Sequence, residues 1–130
     1  MSRSFDFRLL PQRFSVCRLA PDEAIPGWAC AGGFLTITRS GDELSIICDE
    51  RNVPDGIQQQ PGWRCIQLRG PFAFDEIGVL ASFANPLAAA GVGILAISTF
   101  DTDFILFAEK NLESALRALT TAGHRQIPAT

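Results

Sequence analysis

The sequence predicts an α+β fold in which a largely antiparallel sheet carries its helices on one face. Three observations predict it. The first half reads as short strands separated by turn residues. The second half holds two apolar stripes of helical period, each followed by a glycine. Strands alternate with those helices, in the order strand, strand, strand, then strand-helix-strand-strand-helix.

Phe14-Ser15-Val16-Cys17-Arg18-Leu19 alternates apolar and polar side chains, the period of a half-buried strand. Pro21, Pro26 and Gly27 then break the chain and leave space for one helical turn at most between Asp22 and Trp28. Residues 34–38 and 44–48 are the next two strands. The short polar turn Ser40-Gly41-Asp42-Glu43 between them predicts a hairpin. Residues 50–62 are polar and rich in Gly, Pro and Gln, the composition of a linker or long loop.

Residues 63–68 form a strand that Gly70 and Pro71 end. Asp75 is placed to cap a helix running to about Ala90, with Gly91 as its stop signal. Leu80, Phe83, Ala84 and Leu87 recur at spacings of three and four and predict its core-facing stripe. Pro86 lies inside that helix. It removes one backbone hydrogen bond and should kink or split the helix. Strands follow at 93–98 and 104–108. Asn111 is placed to cap the last helix, whose stripe is Leu112, Ala115, Leu116 and Leu119 and whose stop is Gly123.

Composition narrows the function. With 130 residues, 47% hydrophobic and 19% charged, the chain can fill a core as one compact unit or as two small lobes. A net charge of −3 and a pI of about 5.0 leave no basic patch for a nucleic-acid backbone. Arg3, Arg8, Arg13 and Arg18 are interleaved with Phe and Leu and read as a solvated face. No apolar run approaches the roughly 18 residues of a membrane span. The opening Met1-Ser2-Arg3-Ser4-Phe5-Asp6 lacks a secretory apolar stretch, so a cytoplasmic location is expected. The four cysteines form no CxxC pair, and Cys17, Cys48 and Cys65, within apolar strand-like segments, read as core thiols of a reducing compartment.

Catalytic signals are missing. The lone His124 sits just beyond a helix stop and reads as a solvated tail residue. Gly91-Val92-Gly93 is too short for a dinucleotide fingerprint, and no phosphate loop is present. Asp101 and Asp103 form a D-x-D pair, but no glutamate follows at calcium-loop spacing, so they read as turn formers. The expectation is a non-enzyme with no metal and no cofactor.

Binding has a better case. Asp75, Glu76, Ile77, Gly78, Val79 and Leu80 combine carboxylates with the free backbone N–H groups of a helix start, which attract anions. Ser98 and Thr99 end the next strand. If that strand lies beside 63–68, their hydroxyls face the helix start. Together these groups offer donors for a carboxylate and acceptors for an ammonium, the needs of an amino acid. Asp101 and Asp103 would meet a polar ligand tail.

At this point the residues carry a family resemblance. Phe74-Asp75-Glu76-Ile77-Gly78-Val79-Leu80-Ala81 and the run from Pro86 to Thr99 resemble an ACT domain. The string Ile97-Ser98-Thr99-Phe100-Asp101-Thr102-Asp103-Phe104-Ile105-Leu106 is similar to small bacterial tandem-ACT proteins. More distantly it is similar to CASTOR-type arginine sensors and aspartokinase regulatory ACT pairs. The resemblance implies a ferredoxin-like βαββαβ fold in tandem, with 1–62 a degenerate first repeat and 63–130 the second ACT domain. It implies a regulatory module that binds an amino acid, with Asp75 on its ammonium and the backbone at 77–79 on its carboxylate. It also implies a homodimer. The alternative is a ligand-free dimerisation or interaction module whose cleft is plugged by Phe72, Phe74 and Phe100. Two features depart from the pattern: the first repeat lacks a first helix, and little chain remains after Gly123 for a fourth strand.

Overall fold

A computed structural model describes residues 3–129; Met1 and Ser2, which open the N-terminal segment read above, and Thr130 lie outside the described residues. The architecture is α+β, with eight strands and two α-helices among the described residues. By its contacts the chain divides into two units. One joins the residues up to Pro11 to those from Arg64 onward, and the other is Gln12–Trp63.

The unit Gln12–Trp63 is built of strands. It contains β2 (Phe14–Leu19), β3 (Thr36–Arg39), β4 (Leu44–Asp49) and the first half of β5 (Gln58–Leu68). β4 pairs antiparallel with both β2 and β3, and β2 pairs antiparallel with β5. The hairpin predicted at Ser40–Glu43 forms, closed by the Ser40 amide on the Glu43 carbonyl at 2.9 Å. The single helical turn that the prolines permit is a 3-10 turn at Gly27–Cys30. The expected loop at 50–62 is shorter than predicted, because β5 already begins at Gln58. Pro61 and Gly62 are tolerated in that strand at an irregularity where the register on β2 shifts between Phe14 and Val16. The core gathers Cys17, Leu19, Ala29, Leu44, Ile46 and Cys48.

The second unit holds β1 (Asp6–Leu9), the end of β5, α1 (Val79–Ala89), β6 (Leu95–Ser98), β7 (Asp103–Ala108), α2 (Leu112–Thr121) and β8 (Arg125–Ile127). β5, α1, β6, β7, α2 and β8 run in the βαββαβ order. β7 pairs with β5 and β6, and β1 lies between β5 and β8. β1 runs antiparallel to β5 and parallel to β8, with Asp6 opposite Arg125. The Arg125 guanidinium, and then Arg69, hold the Asp6 carboxyl below its ordinary range. A fourth strand after Gly123 therefore exists. It is three residues long and borrows β1 as its partner.

Both helices bury their stripes in one cluster. Val79, Phe83 and Leu87 of α1 and Ala115 and Leu119 of α2 meet Phe7, Ile66, Leu68, Ile105 and Phe107 of the strands. Leu80, Leu112 and Leu116 pack on its margin. Cys65 is fully buried, and burial pushes its thiol up to about 12. Burial and the neighbouring Cys17 push Cys48 to about 11. These thiols fill space as small apolar groups.

The helices stop alike. Gly91 and Gly123 follow them with positive φ of 78° and 99°. At α1 the Gly91 amide bonds Ala88 O and the Val92 amide bonds Leu87 O. At α2 the Gly123 amide bonds Thr120 O and the His124 amide bonds Leu119 O. This is the Schellman stop, in which a left-handed residue turns the chain back over the last carbonyls. A Cβ at Gly91 meets nothing within 4 Å, whereas one at Gly123 meets Ser4 Oγ at 3.0 Å. We expect Gly91→Ala to cost about 1–2 kcal/mol from the left-handed backbone alone. Gly123→Ala should cost more, because contact adds to strain. Urea unfolding of the two variants measures the difference.

Candidate functional site

The geometry of the candidate site starts with a glycine. Gly78 occupies the N-cap position of α1 with φ +84°, so it has no side chain to bond the first turn. The Ser82 amide closes that turn on Gly78 O at 3.0 Å, and Ser82 Oγ donates to Val79 O at 2.6 Å. The amides of Val79, Leu80 and Ala81 have no partner inside the helix. Asp75 is not the cap. It sits in the turn before α1, where the Glu76 amide bonds Ala73 O at 3.0 Å. The carboxylate at 75 resembled a capping residue, but the chain needs the left-handed bend at Gly78 before the helix can begin.

The opposite wall is the turn between β6 and β7. Ser98 stands opposite Asp103 in the ladder, and Ser98 Oγ donates to Asp103 Oδ1 at 2.5 Å. The Thr99 amide and Oγ1 both reach Thr102 O, at 2.8 and 3.0 Å. This segment is thus a hairpin turn and a cavity wall at once. Two bonds hold it to the end of β5 and the loop that follows: the Phe72 amide donates to Asp101 O at 2.8 Å, and the buried Thr102 Oγ1 donates to Leu68 O at 2.7 Å.

Between the walls lies an open cavity of about 600 Å³. Of the residues predicted from sequence, it brings together Glu76, Gly78, Val79, Leu80, Ser98, Thr99, Asp101 and Asp103. It leaves out Asp75 and Ile77, the latter 86% exposed. Residues that the sequence reading missed also line it, chiefly Ala81, Ala84 and Asn85 of α1. Their signal was available: Gly78, Ala81 and Asn85, at spacings of three and four, mark one helix face of small and polar residues.

Electrostatics favour a cation at one end. Glu76 is paired with Arg3, whose guanidinium also donates to Ile77 O at 3.0 Å. Asp101 and Asp103 carry no ion pair among the described residues, and no Lys, Arg or His lines the cavity. Among the described residues no group of three His, Cys, Asp or Glu side chains could hold a metal ion. Phe72 packs on the core margin, with its ring edge-on to Phe5 at 5.6 Å. Phe74 and Phe100 meet edge-on at 5.0 Å and are 77% and 78% exposed. They stand at the rim and do not fill the cavity.

A helix start facing a hairpin within a βαββαβ unit is the arrangement of an ACT domain, and residues 58–121 match the model of that domain. A model of another N-terminal domain matches 12–56. The chain belongs to the ACT-domain family. It is 41% identical to the cytosolic arginine sensor for mTORC1 subunit 1 of Homo sapiens over 58 residues, which are 44% of this chain and 18% of that one. With the Mus musculus protein of that name the match is also 41% identical and covers 68% of this chain and 31% of the relative. The chain thus spans a fifth to a third of those relatives. A crystal structure of an Agrobacterium tumefaciens protein superposes with a TM-score of 0.92 at 41% identity, covering 98% of this chain and 95% of that one. The regulatory subunit of aspartate kinase from Thermus thermophilus shares the fold, with a TM-score of 0.59 at 14% identity over 86% of this chain and 93% of that one. In the described structure no helix is long and apolar enough to cross a membrane.

Gly70 tests the wall-to-wall contact. A Cβ there would lie 2.7 Å from Asp101 O and 3.2 Å from Thr102 Cβ. The first of these is backbone and cannot swing aside. Gly70→Ala is expected to destabilise by about 1–3 kcal/mol. It should also shift the amide resonances of Phe72, Thr99 and Thr102, read by two-dimensional NMR.

Proposed function

We propose that this chain is a non-catalytic regulatory module that binds a free amino acid at the start of α1. The observation that carries the reading is the joining of uncapped helix-start amides and an acidic hairpin in one open cavity. The amides of Val79, Leu80 and Ala81 take the ligand carboxylate. The Ser98–Asp103 edge and Asp101 take its positive groups. Two carboxylates without a basic side chain beside them favour a ligand whose side chain is also cationic. The relatives named as arginine sensors support the same choice, so arginine is the first probe. The volume lies within the range of small-molecule sites.

The module acts from the cytoplasm through a partner, since it brings no catalytic group of its own. A homodimer is the expected assembly. Among the described residues β6 pairs only with β7, and its other edge would take a strand of a second copy. The competing reading of a plugged, ligand-free module needs Phe74 and Phe100 inside the cavity. Their exposure at its rim supports the ligand reading instead.

Thermal unfolding with L-arginine, L-lysine, L-citrulline and L-aspartate tests the proposal. A ligand at about 100 times its Kd adds about 2.7 kcal/mol. Arginine should stabilise most, citrulline should lose most of the effect, and aspartate should have none. Asp103→Asn should weaken arginine by about tenfold or more, the scale of a charge-assisted hydrogen bond. If millimolar amino acids leave the melting temperature unmoved, the proposal fails.

A further inference from the structure

His124 is 3% exposed, against the solvated position its sequence context suggested. The Schellman stop explains the burial. His124 follows Gly123 and occupies the position that folds back against the end of the helix, where an apolar residue commonly sits. Its ring stacks on Phe83 with centroids 3.9 Å apart and planes 11° apart.

Both ring nitrogens are used. The Phe5 amide reaches Nδ1 at 3.1 Å, and an amide can only donate, so Nδ1 carries the lone pair. The proton therefore sits on Nε2, which lies 2.8 Å from Ser82 O and donates to it. That carbonyl has a particular need. In an α-helix Ser82 O accepts from the N–H of residue 86, and residue 86 is proline, which has none.

We infer that His124 is a positioning residue for the start of α1: its Nε2–H takes the place of the hydrogen bond that Pro86 cannot give to Ser82. The inference that this matters for ligand rests on the amino-acid reading of the cavity. Ser82 is the residue that closes the first turn, through its amide on Gly78 O and its hydroxyl on Val79 O. A carbonyl that loses its donor tilts outward to find water and bends the helix at that turn. The turn in question carries the Val79, Leu80 and Ala81 amides. His124 thus sets the direction of the cavity's donors without touching the cavity.

A double-mutant cycle tests this in the full chain. His124→Asn keeps an acceptor near the Phe5 amide and loses the reach to Ser82 O. Pro86→Ala supplies an N–H at position 86. Hydrogen exchange of the Ser82 amide and the Kd of L-arginine are read in the parent, both single variants and the double variant. His124→Asn should speed Ser82 exchange by about tenfold, as for one lost hydrogen bond to a part-buried carbonyl, and should weaken arginine. Adding Pro86→Ala should return both values toward the parent. A histidine that merely fills space would show no such rescue. Additive effects, or Ser82 exchange unchanged in His124→Asn, overturn the inference. If the parent binds no amino acid but Ser82 exchange is still rescued, the proposed function falls and the positioning of α1 stands. If arginine binds and exchange is not rescued, the reverse holds. Should His124→Asn not fold, His124→Gln, whose amide nitrogen reaches the Nε2 position, should preserve Ser82 protection, and its failure to do so overturns the inference.

Discussion

The candidate site depends on the pair of hydrogen bonds that stitch the β6–β7 turn to the end of β5 and the loop after it. The Phe72 amide on Asp101 O and the Thr102 hydroxyl on Leu68 O act at opposite ends of that contact. Thr102 is buried, so leaving the Leu68 carbonyl unpaired would cost about 1–3 kcal/mol. Gly70 lets the two backbones approach so closely. Without this contact β6 and β7 would still form a hairpin, since their ladder runs from Leu95–Leu106 to Ser98–Asp103. The pairing of β7 with β5 would still set the hairpin beside the end of β5, but the tip at Asp101 and Thr102 would lose the two bonds that fix it. The cavity is therefore a consequence of backbone pairing, and its side chains sit on a frame that does not need a ligand to hold it.

That frame explains which parts of the chain were legible in sequence. Signals that act locally were readable: glycine stops at 91 and 123, the apolar stripe at 80, 83 and 87, and the turn at Ser40–Glu43. The hairpin at 98–103 was readable as polar residues between apolar strands. Signals that act at a distance were not. β1 and β8 are four and three residues long and exist because they pair with each other across almost the whole chain. No periodicity can show in so few residues. The true start of α1 was hidden because its cap is a backbone conformation, φ +84° at Gly78, and not a side chain. Asp75 carried the expected chemistry three residues too early. The face of Gly78, Ala81 and Asn85 was present in the sequence but competed with a stronger apolar stripe.

The two units differ in what they can offer a ligand. Gln12–Trp63 contains no α-helix among the described residues, only 3-10 turns. One of these, at Glu50–Asn52, already has its start satisfied: the Asp49 carboxylate accepts from the Arg51 amide at 3.0 Å and pairs with the Arg51 guanidinium. The other, at Gly27–Cys30, has no side-chain cap but is only four residues long. Arg64 onward is different, because α1 has a glycine where a capping side chain would otherwise bond its first turn. A cap of Ser, Thr or Asp is worth only a few tenths of a kcal/mol over glycine, and the left-handed φ of +84° disfavours each of them in that place. Gly78 forgoes that contribution and leaves the amides available.

The same trade recurs at the other end of the first turns of α1. Proline in a helix interior costs roughly 3 kcal/mol, partly through the carbonyl it leaves bare. Here the carbonyl is not bare, because the residue after the Gly123 stop is one that can donate from inside the core. Phenylalanine or leucine at 124 would fill the space against Phe83 and satisfy the Schellman contact, yet would strand Ser82 O and the Phe5 amide together. Histidine is the side chain that stacks as an aromatic while donating at one edge and accepting at the other. The helix runs unsplit through Pro86, and the carbonyl that the proline leaves without a donor is taken up in a tertiary contact. A helix with a weak start and an interior proline is held in place by the residue that follows the stop of the second helix, and the geometry of the donors it presents is fixed from outside the cavity.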